Sequence, residues 1–482
     1  MKYLIYIASF VSLTFTSACK KLIEIDGPKT SLSTLDIYSS DATAIGTITS
    51  LYANMASGLL NATSEFTSLS CIAGLSADEL TLFSRANNFT LSSFYQNNLT
   101  NNNLGYWKDT YSRLYLVNAA IEGLTSSEGL TPAVKQHLLG EAKFMRAFYY
   151  FYLVNLYGDV PLVISTEYTS NDLIPKSSRL QIYDQIIIDL RYAEGLLSDQ
   201  YLKADAVTAY PIGAEERVRP TKAAAMALMS RTFLFRGEWS NAERQATLVI
   251  DNKVNYKLES LDRVFLKNNM EAIWQLQPIN RGVNTRDAGL FLLPVSGPSA
   301  SYPVYISESL IDAFELSDQR RNAWLRSITA NGVVYFYPYK YKVPQTNVTN
   351  TPITEYSTVM RLAEQYLIRA EARAHQGNIS GAISDLDEIR KRAGLSLVGQ
   401  INPDINQMDL LELILKEKQL EFFTEWGHRW LDIKRTNRID ALMTVITPKK
   451  GNLNGWKSYQ QYYPIHIREL NTNPNLTPTP GY

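Results

Sequence analysis

Cysteine is nearly absent from this sequence of 482 residues, with Cys19 and Cys71 its only two. A disulfide-stapled scaffold is therefore excluded. Histidine is equally sparse at four residues, His137, His375, His428 and His466, all far apart in the chain. His137/Glu141 and His428/Asp432 are the only i, i+4 pairings with a carboxylate, and neither brings a third metal ligand nearby. Asn402, Asp404 and Asn406 alternate like calcium-loop oxygens, but Leu413 stands where the closing carboxylate belongs. An excess of either charge is missing too: 47 Lys and Arg balance 47 Asp and Glu. Nucleic acid as a partner is excluded on that ground, since phosphates demand a cationic surface. Phosphate-cradling, dinucleotide-binding and serine-hydrolase motifs are all lacking, and no cofactor is called for.

A hydrophobic share of 45% supports a large core, so wholesale disorder is excluded. Tyrosine is abundant: 30 Tyr stand against 17 Phe and 7 Trp. A tyrosine has a flat apolar body and a polar tip, so the excess serves either core edges or a wet binding surface.

The N-terminus reads as a secretory signal. Lys2 precedes the apolar run Tyr3–Phe15, followed by Thr16, Ser17, Ala18 and Cys19. The run is shorter than the roughly twenty residues that a membrane-spanning helix needs. Small residues directly before a cysteine resemble the bacterial lipobox, with Thr16 in place of the usual Leu, so residues 1–18 are expected to be removed and Cys19 to be lipidated. The uncharged stretch Ala288–Ser307 is broken by Pro294, Pro298 and Pro303 and cannot span a bilayer. Cys71, in the apolar run SLSCIAGL, reads as a small core residue.

Helical periodicity dominates the rest. Trp107, Tyr111, Leu114, Tyr115 and Asn118 share a face and predict a helix ending near Gly123. A second helix runs from Pro132 until Gly158 and Pro161 stop it. Further helices are predicted over 179–197, 220–236, 239–251, 359–376, 379–393, 408–425 and 427–436. LFRGEWSNA (Leu234–Ala242) lines up with AHQGNISGA (Ala374–Ala382), each placing Gly at the turn between two helices. That grammar is tetratricopeptide-like. The fold expected is mainly α: tetratricopeptide-like helix pairs in an α-superhelical framework, with long irregular insertions over about 60–106 and 255–358 that carry the ligand. Val333–Tyr341 alternates like a strand.

Catalytic constellations are thin. Glu417, Glu421 and Glu425 lie on one helix face, a spacing open to paired-carboxylate chemistry. Lys418 and Arg429 flank them, which favours salt bridges instead. More suggestive is the uncharged stretch between Arg85 and Lys108, where seven asparagines stand among Phe89, Phe94, Tyr95, Tyr106 and Trp107. Amides supply paired donors and acceptors without charge, and aromatic rings supply flat faces, the combination a neutral sugar needs. The uncharged run that ends with Tyr302 and Tyr305 has the same character. The expected site brings both stretches to one surface: Phe94, Tyr95, Tyr302 and Tyr305 stack on sugar rings, Asn101 and Arg85 bond hydroxyls, and Asp78 accepts from them. A polar loop with its own core anchors is the competing reading.

Four ordered segments resemble the RagB/SusD family of nutrient-uptake outer-membrane lipoproteins. They are GEAKFMRAFYYFYLVNLYGDVPLV, TKAAAMALMSRTFLFRGEW, EKQLEFFTEWGHRWLDIKR with Trp426 inserted before Gly427, and the tail YYPIHIRELNTNPNLTPTPGY. The resemblance implies a mature chain over 19–482, with an N-terminal half over about 30–255 and a C-terminal half over about 256–482. It further implies four helix pairs, a lipid anchor in the outer membrane facing the cell surface, and a TonB-dependent, SusC-like transporter as partner. Oligosaccharide would be captured and delivered without catalysis. Gly158 and Pro161 would be framework, and Arg429, Trp430 and Asp432 would staple the C-terminal helix. Peptide capture on the same architecture, a purely structural helical scaffold and a hydrolase using Glu417 and Glu421 are the alternatives.

Overall fold

The computed structural model describes residues 37–56, 68–84, 86–103, 106–280, 282–344 and 352–482. Cys19 and Arg85 lie outside them. The frame is helical. Helices α1 (Asp41–Asn54), α2 (Leu69–Ser76) and α3 (Phe89–Tyr95) are short. They are followed by α4 (Tyr106–Ser126), α5 (Pro132–Tyr157), α6 (Arg179–Leu196), α7 (Lys222–Arg236) and α8 (Trp239–Ile250). Then come α9 (Leu362–His375), α10 (Ile379–Arg392), α11 (Gln407–Phe422), α12 (His428–Arg435) and α13 (Ile439–Lys449). From α4 to α10 each helix packs on the next, as in a helical repeat.

The repeat is exact at the level of backbone bonds. After α7 the N–H of Gly237 donates to Leu234 O and that of Glu238 to Phe233 O; after α9 Gly377 and Asn378 donate to Ala374 O and Arg373 O in the same way. Gly237 and Gly377 stand at φ 73° and 78°, where a Cβ would be strained. The turn from α12 to α13 repeats the pattern a third time, with Asn437 at φ 57° donating to Lys434 O and Arg438 to Ile433 O. Asparagine hides this copy from a search for glycine.

Helix α5 begins with Pro132 in its first turn and ends at Gly158, φ 81°. Every residue from Phe144 to Tyr157 is buried, so apolar side chains surround the helix. Phe144 and Phe148 meet Trp274 edge-on at 5.0 and 5.4 Å, and Phe148 meets Trp426 at 5.6 Å. Much of the tyrosine excess is spent here. Tyr150 donates to Val163 O, Tyr183 to Asn155 Oδ1 and Tyr201 to Ile273 O, each ring buried and each hydroxyl paired.

The departures from the sequence reading are local. Helix α4 runs through Gly123 to Ser126, because Tyr38 packs against that glycine and needs the missing side chain. The helix expected from residue 359 starts at Leu362, its lead-in taken by a strand. Within 60–106, read as irregular, α2 and α3 form with Ser68 and Asn88 as side-chain N-caps. Helices α1 and α13 were not anticipated.

Besides a two-residue pair, Val160–Pro161 with Lys176–Ser177, six strands complete the described fold: β1 (Leu80–Leu82), β2 (Ala272–Leu276), β3 (Val304–Ile306), β4 (Leu325–Ala330), β5 (Val333–Pro338) and β6 (Ser357–Arg361). They pair antiparallel as β1 with β3, β2 with β6 and β4 with β5. Asn331 and Gly332, at φ 52° and 78°, make the two-residue turn between β4 and β5.

Candidate functional site

Strand pairing brings the chain just ahead of the asparagine-rich stretch alongside the second uncharged run. Leu80 lies opposite Ile306, Thr81 opposite Tyr305 and Leu82 opposite Val304, and Phe83 N donates to Pro303 O at 2.7 Å. Helix α3 packs on β1, and β5 packs on β3. Rings from three separate segments therefore meet. Tyr305 and Tyr335 stand edge to face with centroids 5.1 Å apart, and Phe83 meets Tyr335 at 6.4 Å and 84°. The Tyr95 hydroxyl lies near the Thr81 side chain, and Lys450 Nζ lies 5.3 Å from its ring. Phe83, Tyr95, Tyr305 and Tyr335 are each half-buried. Burial pushes the hydroxyls of Tyr95 and Tyr305 above the ordinary phenol range, the latter helped by Tyr95 and Tyr335, so these two phenols stay uncharged at neutral pH.

The anticipated residues divide. Tyr95 and Tyr305 belong to the cluster. Tyr302 is half-buried in the tight bridge with Ser299, and its ring pairs with none of the cluster's rings. Asn101 sits against the C-terminal segment, its carbonyl accepting from Ile467 N at 2.7 Å, while its own Oδ1 is buried without a protein partner. Two expectations are corrected. Phe94 is 2% exposed and packs edge-on against Tyr463 at 5.2 Å, so it is a core anchor with no face for a ligand. Helical geometry turns adjacent residues in different directions, and Tyr95, not Phe94, faces outward. Asp78 is 3% exposed and both its oxygens are taken by Arg429, which leaves nothing to accept from a sugar. Phe83 and Tyr335 escaped the sequence reading. The alternation over Val333–Tyr341 was the signal for Tyr335, since it places tyrosines on one face of a strand.

Two cavities, about 440 Å³ beside Tyr52 and Tyr210 and about 400 Å³ beside Trp239 and His375, share no lining residue with the ring cluster.

Helix α11 ends at Phe422, short of the expected residue 425, so Glu417 and Glu421 share its face while Glu425 lies in the turn beyond it, and all three are structural. Glu417 Oε1 lies 2.6 Å from Arg320 and Glu417 Oε2 3.3 Å from Arg390; Glu421 meets Arg320 at 3.0 Å and Arg361 at 2.5 Å; Glu425 meets Lys340 at 2.5 Å and Arg361 at 2.8 Å. All three carboxylates are buried. Burial alone would raise the Glu421 carboxyl, but Arg392, Arg361 and Arg320 outweigh it and hold the group far below its ordinary range. A carboxylate so paired offers neither a free lone pair nor a proton to a substrate. Cys71 is fully buried in α2, and burial pushes its thiol up, away from nucleophilic use.

The staple expected around Arg429, Trp430 and Asp432 is present. Arg429 binds Asp78, Trp430 is fully buried near Tyr463, and Asp432 pairs with Arg435 at 2.6 Å.

Residues 313–482 match the model of the SusD family, and residues 39–234 match a model described as starch-binding, associating with outer membrane. Among curated relatives, SusD-like protein P38 of Formosa agariphila is 27% identical over 81% of this chain and 84% of its own length. The starch-binding protein SusD of Bacteroides thetaiotaomicron is 26% identical over 74% of this chain and 75% of its own. A crystal structure of a SusD superfamily protein from Bacteroides vulgatus superposes with a TM-score of 0.77 at 21% identity, covering 92% of this chain and 99% of that one. Family models matched over both halves of the sequence lead to one conclusion: the chain belongs to the RagB/SusD family.

Proposed function

We propose that this protein captures oligosaccharide on the ring cluster of Phe83, Tyr95, Tyr305 and Tyr335 and hands it, chemically unchanged, to a TonB-dependent SusC-like transporter in the outer membrane, to which lipid on Cys19 anchors it. The single observation that carries the reading is the cluster itself: four half-exposed rings from three chain segments, held on paired strands against a rigid helical frame. Sugar rings present C–H faces above and below and hydroxyls around the rim. Flat apolar rings with phenol hydroxyls at their edges answer both. The starch-binding description of the N-terminal model and the name of the Bacteroides thetaiotaomicron relative support glycan as the ligand class and the outer membrane as the setting. The absence of a free nucleophile or unpaired acidic dyad on the helix face of Glu417 and Glu421 supports binding without turnover.

The test is calorimetry of the purified mature chain against a panel of oligosaccharides, with chromatography of the ligand afterwards. Binding with the ligand recovered intact supports the proposal. Product that accumulates, and that Glu417→Gln abolishes, refutes it.

A further inference from the structure

The ring cluster does not end at Tyr335. Along β5 the residues facing the same way as Tyr335 are Val333 and Tyr337, and Tyr339 follows just beyond the strand. Tyr337 and Tyr339 meet edge to face at 6.3 Å. At about 3.3 Å per residue, the step from Tyr335 to Tyr339 extends the aromatic strip by about 13 Å, the length of a short oligosaccharide.

The far end of this strip has a different electrostatic character. Arg326 lies directly opposite Tyr337 in the β4–β5 ladder and so on the same face. Its guanidinium stands 4.7 Å from the centre of the Tyr339 ring, held there as Nη1 donates to Asn322 O at 2.6 Å and to Leu325 O at 3.4 Å. The residue is exposed and pairs with no carboxylate among the described residues. This sets it apart from Arg320, Arg361, Arg390 and Arg392, all tied to glutamates. Lys342 Nζ lies 5.8 Å from the centre of the same Tyr339 ring, but it is half-buried and Glu355 and Asp262 share its field, whereas Arg326 is exposed. The acidic neighbour on the strip is Glu308, at the opposite end beside Tyr305.

A fixed guanidinium on an aromatic ring, with donors left over, is built to receive a planar or tetrahedral anion by charge-assisted bonds. Given glycan capture, on which this rests, we propose that the preferred ligand is an acidic oligosaccharide, bearing a carboxylate or a sulfate group on the sugar that reaches Arg326 while the preceding sugars stack on Tyr335, Tyr305 and Phe83. A neutral glucan engages the stacking rings and leaves Arg326 unused.

The experiment is a printed array of neutral, uronic-acid-containing and sulfated oligosaccharides probed with the mature chain, followed by calorimetry of the best binder of each class. Wild type, Arg326→Gln and Tyr335→Ala are compared, each with a melting curve, at low and high salt. An acidic probe is expected to bind about tenfold tighter than neutral ones of equal length, as charge-assisted bonds are worth, and this advantage disappears in Arg326→Gln and shrinks with salt. Whether the uronate or the sulfated arm responds identifies the group. Neutral probes that bind as well as acidic ones, or a preference that survives Arg326→Gln, overturn this inference and leave glycan capture standing. No binding to any class, or binding untouched by Tyr335→Ala, overturns glycan capture at this cluster and the inference with it.

Discussion

Arg429 grips Asp78 through two parallel bonds, Nε to Oδ1 and Nη2 to Oδ2, each 2.8 Å long. The pair fastens the turn before β1 to the first turn of α12, and β1 leads directly into Phe83. Asp78→Ala strands a buried guanidinium and is expected to cost about 3–5 kcal/mol, measured by chemical denaturation. Burial raises the Asp78 carboxyl, but Arg429 outweighs it and the net direction is downward. The stability this supplies is present above the ordinary carboxylate pKa of about 4 and is lost as pH falls through the lower folded value. A denaturation midpoint unchanged in Asp78→Ala would show the clamp to be ornamental.

Phe94 and Tyr335 separate folding from binding. Phe94→Ala opens a hole against Tyr463 and is expected to cost about 3–5 kcal/mol of stability. Tyr335→Ala is expected to cost about 1–2 kcal/mol of ligand affinity, as aromatic anchors do, with a far smaller change in melting temperature. The checks are paired melting curves and calorimetry. The reverse assignment, affinity lost through Phe94 and stability through Tyr335, would contradict the geometry.

Glu79 makes stability depend on pH in the direction opposite to Asp78. Burial first, and then the charge on Asp78, push its carboxyl up to about 8, well above the ordinary carboxylate range. The folded chain keeps this proton while the unfolded chain gives it up, so the contribution is full below pH 4.5 and is lost as pH rises through about 8. Lys450, which burial lowers to about 7, works the other way above neutrality. Comparing wild type with Glu79→Gln isolates the first group: the melting temperature of the variant falls less between pH 5 and 8. Parallel curves would exclude the assignment.

Cys19→Ala tests the anchor. Acyl chains contribute roughly 0.8 kcal/mol per buried methylene, and no described helix is long and apolar enough to cross a membrane. The variant is expected in the soluble or unprocessed fraction of cells that lack the transporter; continued membrane association there would disprove lipidation.

The helices were legible because their signals are local. Gly158 and Pro161 end α5 from within four residues of each other, and Gly237 and Gly377 mark equivalent turns. The site was legible only in its chemistry. Tyr95 and Tyr305 could be picked from composition, yet whether Phe94 or Tyr95 faces outward depends on how α3 seats on β1. The Arg429–Asp78 clamp joins residues 351 positions apart, and nothing in local sequence announces such a pairing. Asp78 therefore read as a free acceptor. Tyrosine abundance was ambiguous for the same reason: Tyr150 and Tyr201 meet their partners only after the chain has folded back on them.

The turn at Asn331–Gly332 has no slack. With Ala330 already paired to Val333, two residues are all that joins β4 to β5. Side chains alternate along a strand, so a slip of one position turns every one of them over. Adding or removing a single residue at this turn would carry Tyr335 and Tyr337 to the back of the hairpin and bring Val334 and Phe336 forward. What the protein can recognise is thus set by counting as much as by chemistry: lineages that vary this hairpin in steps of one residue would swap the face they offer, while steps of two would lengthen the strip and keep it.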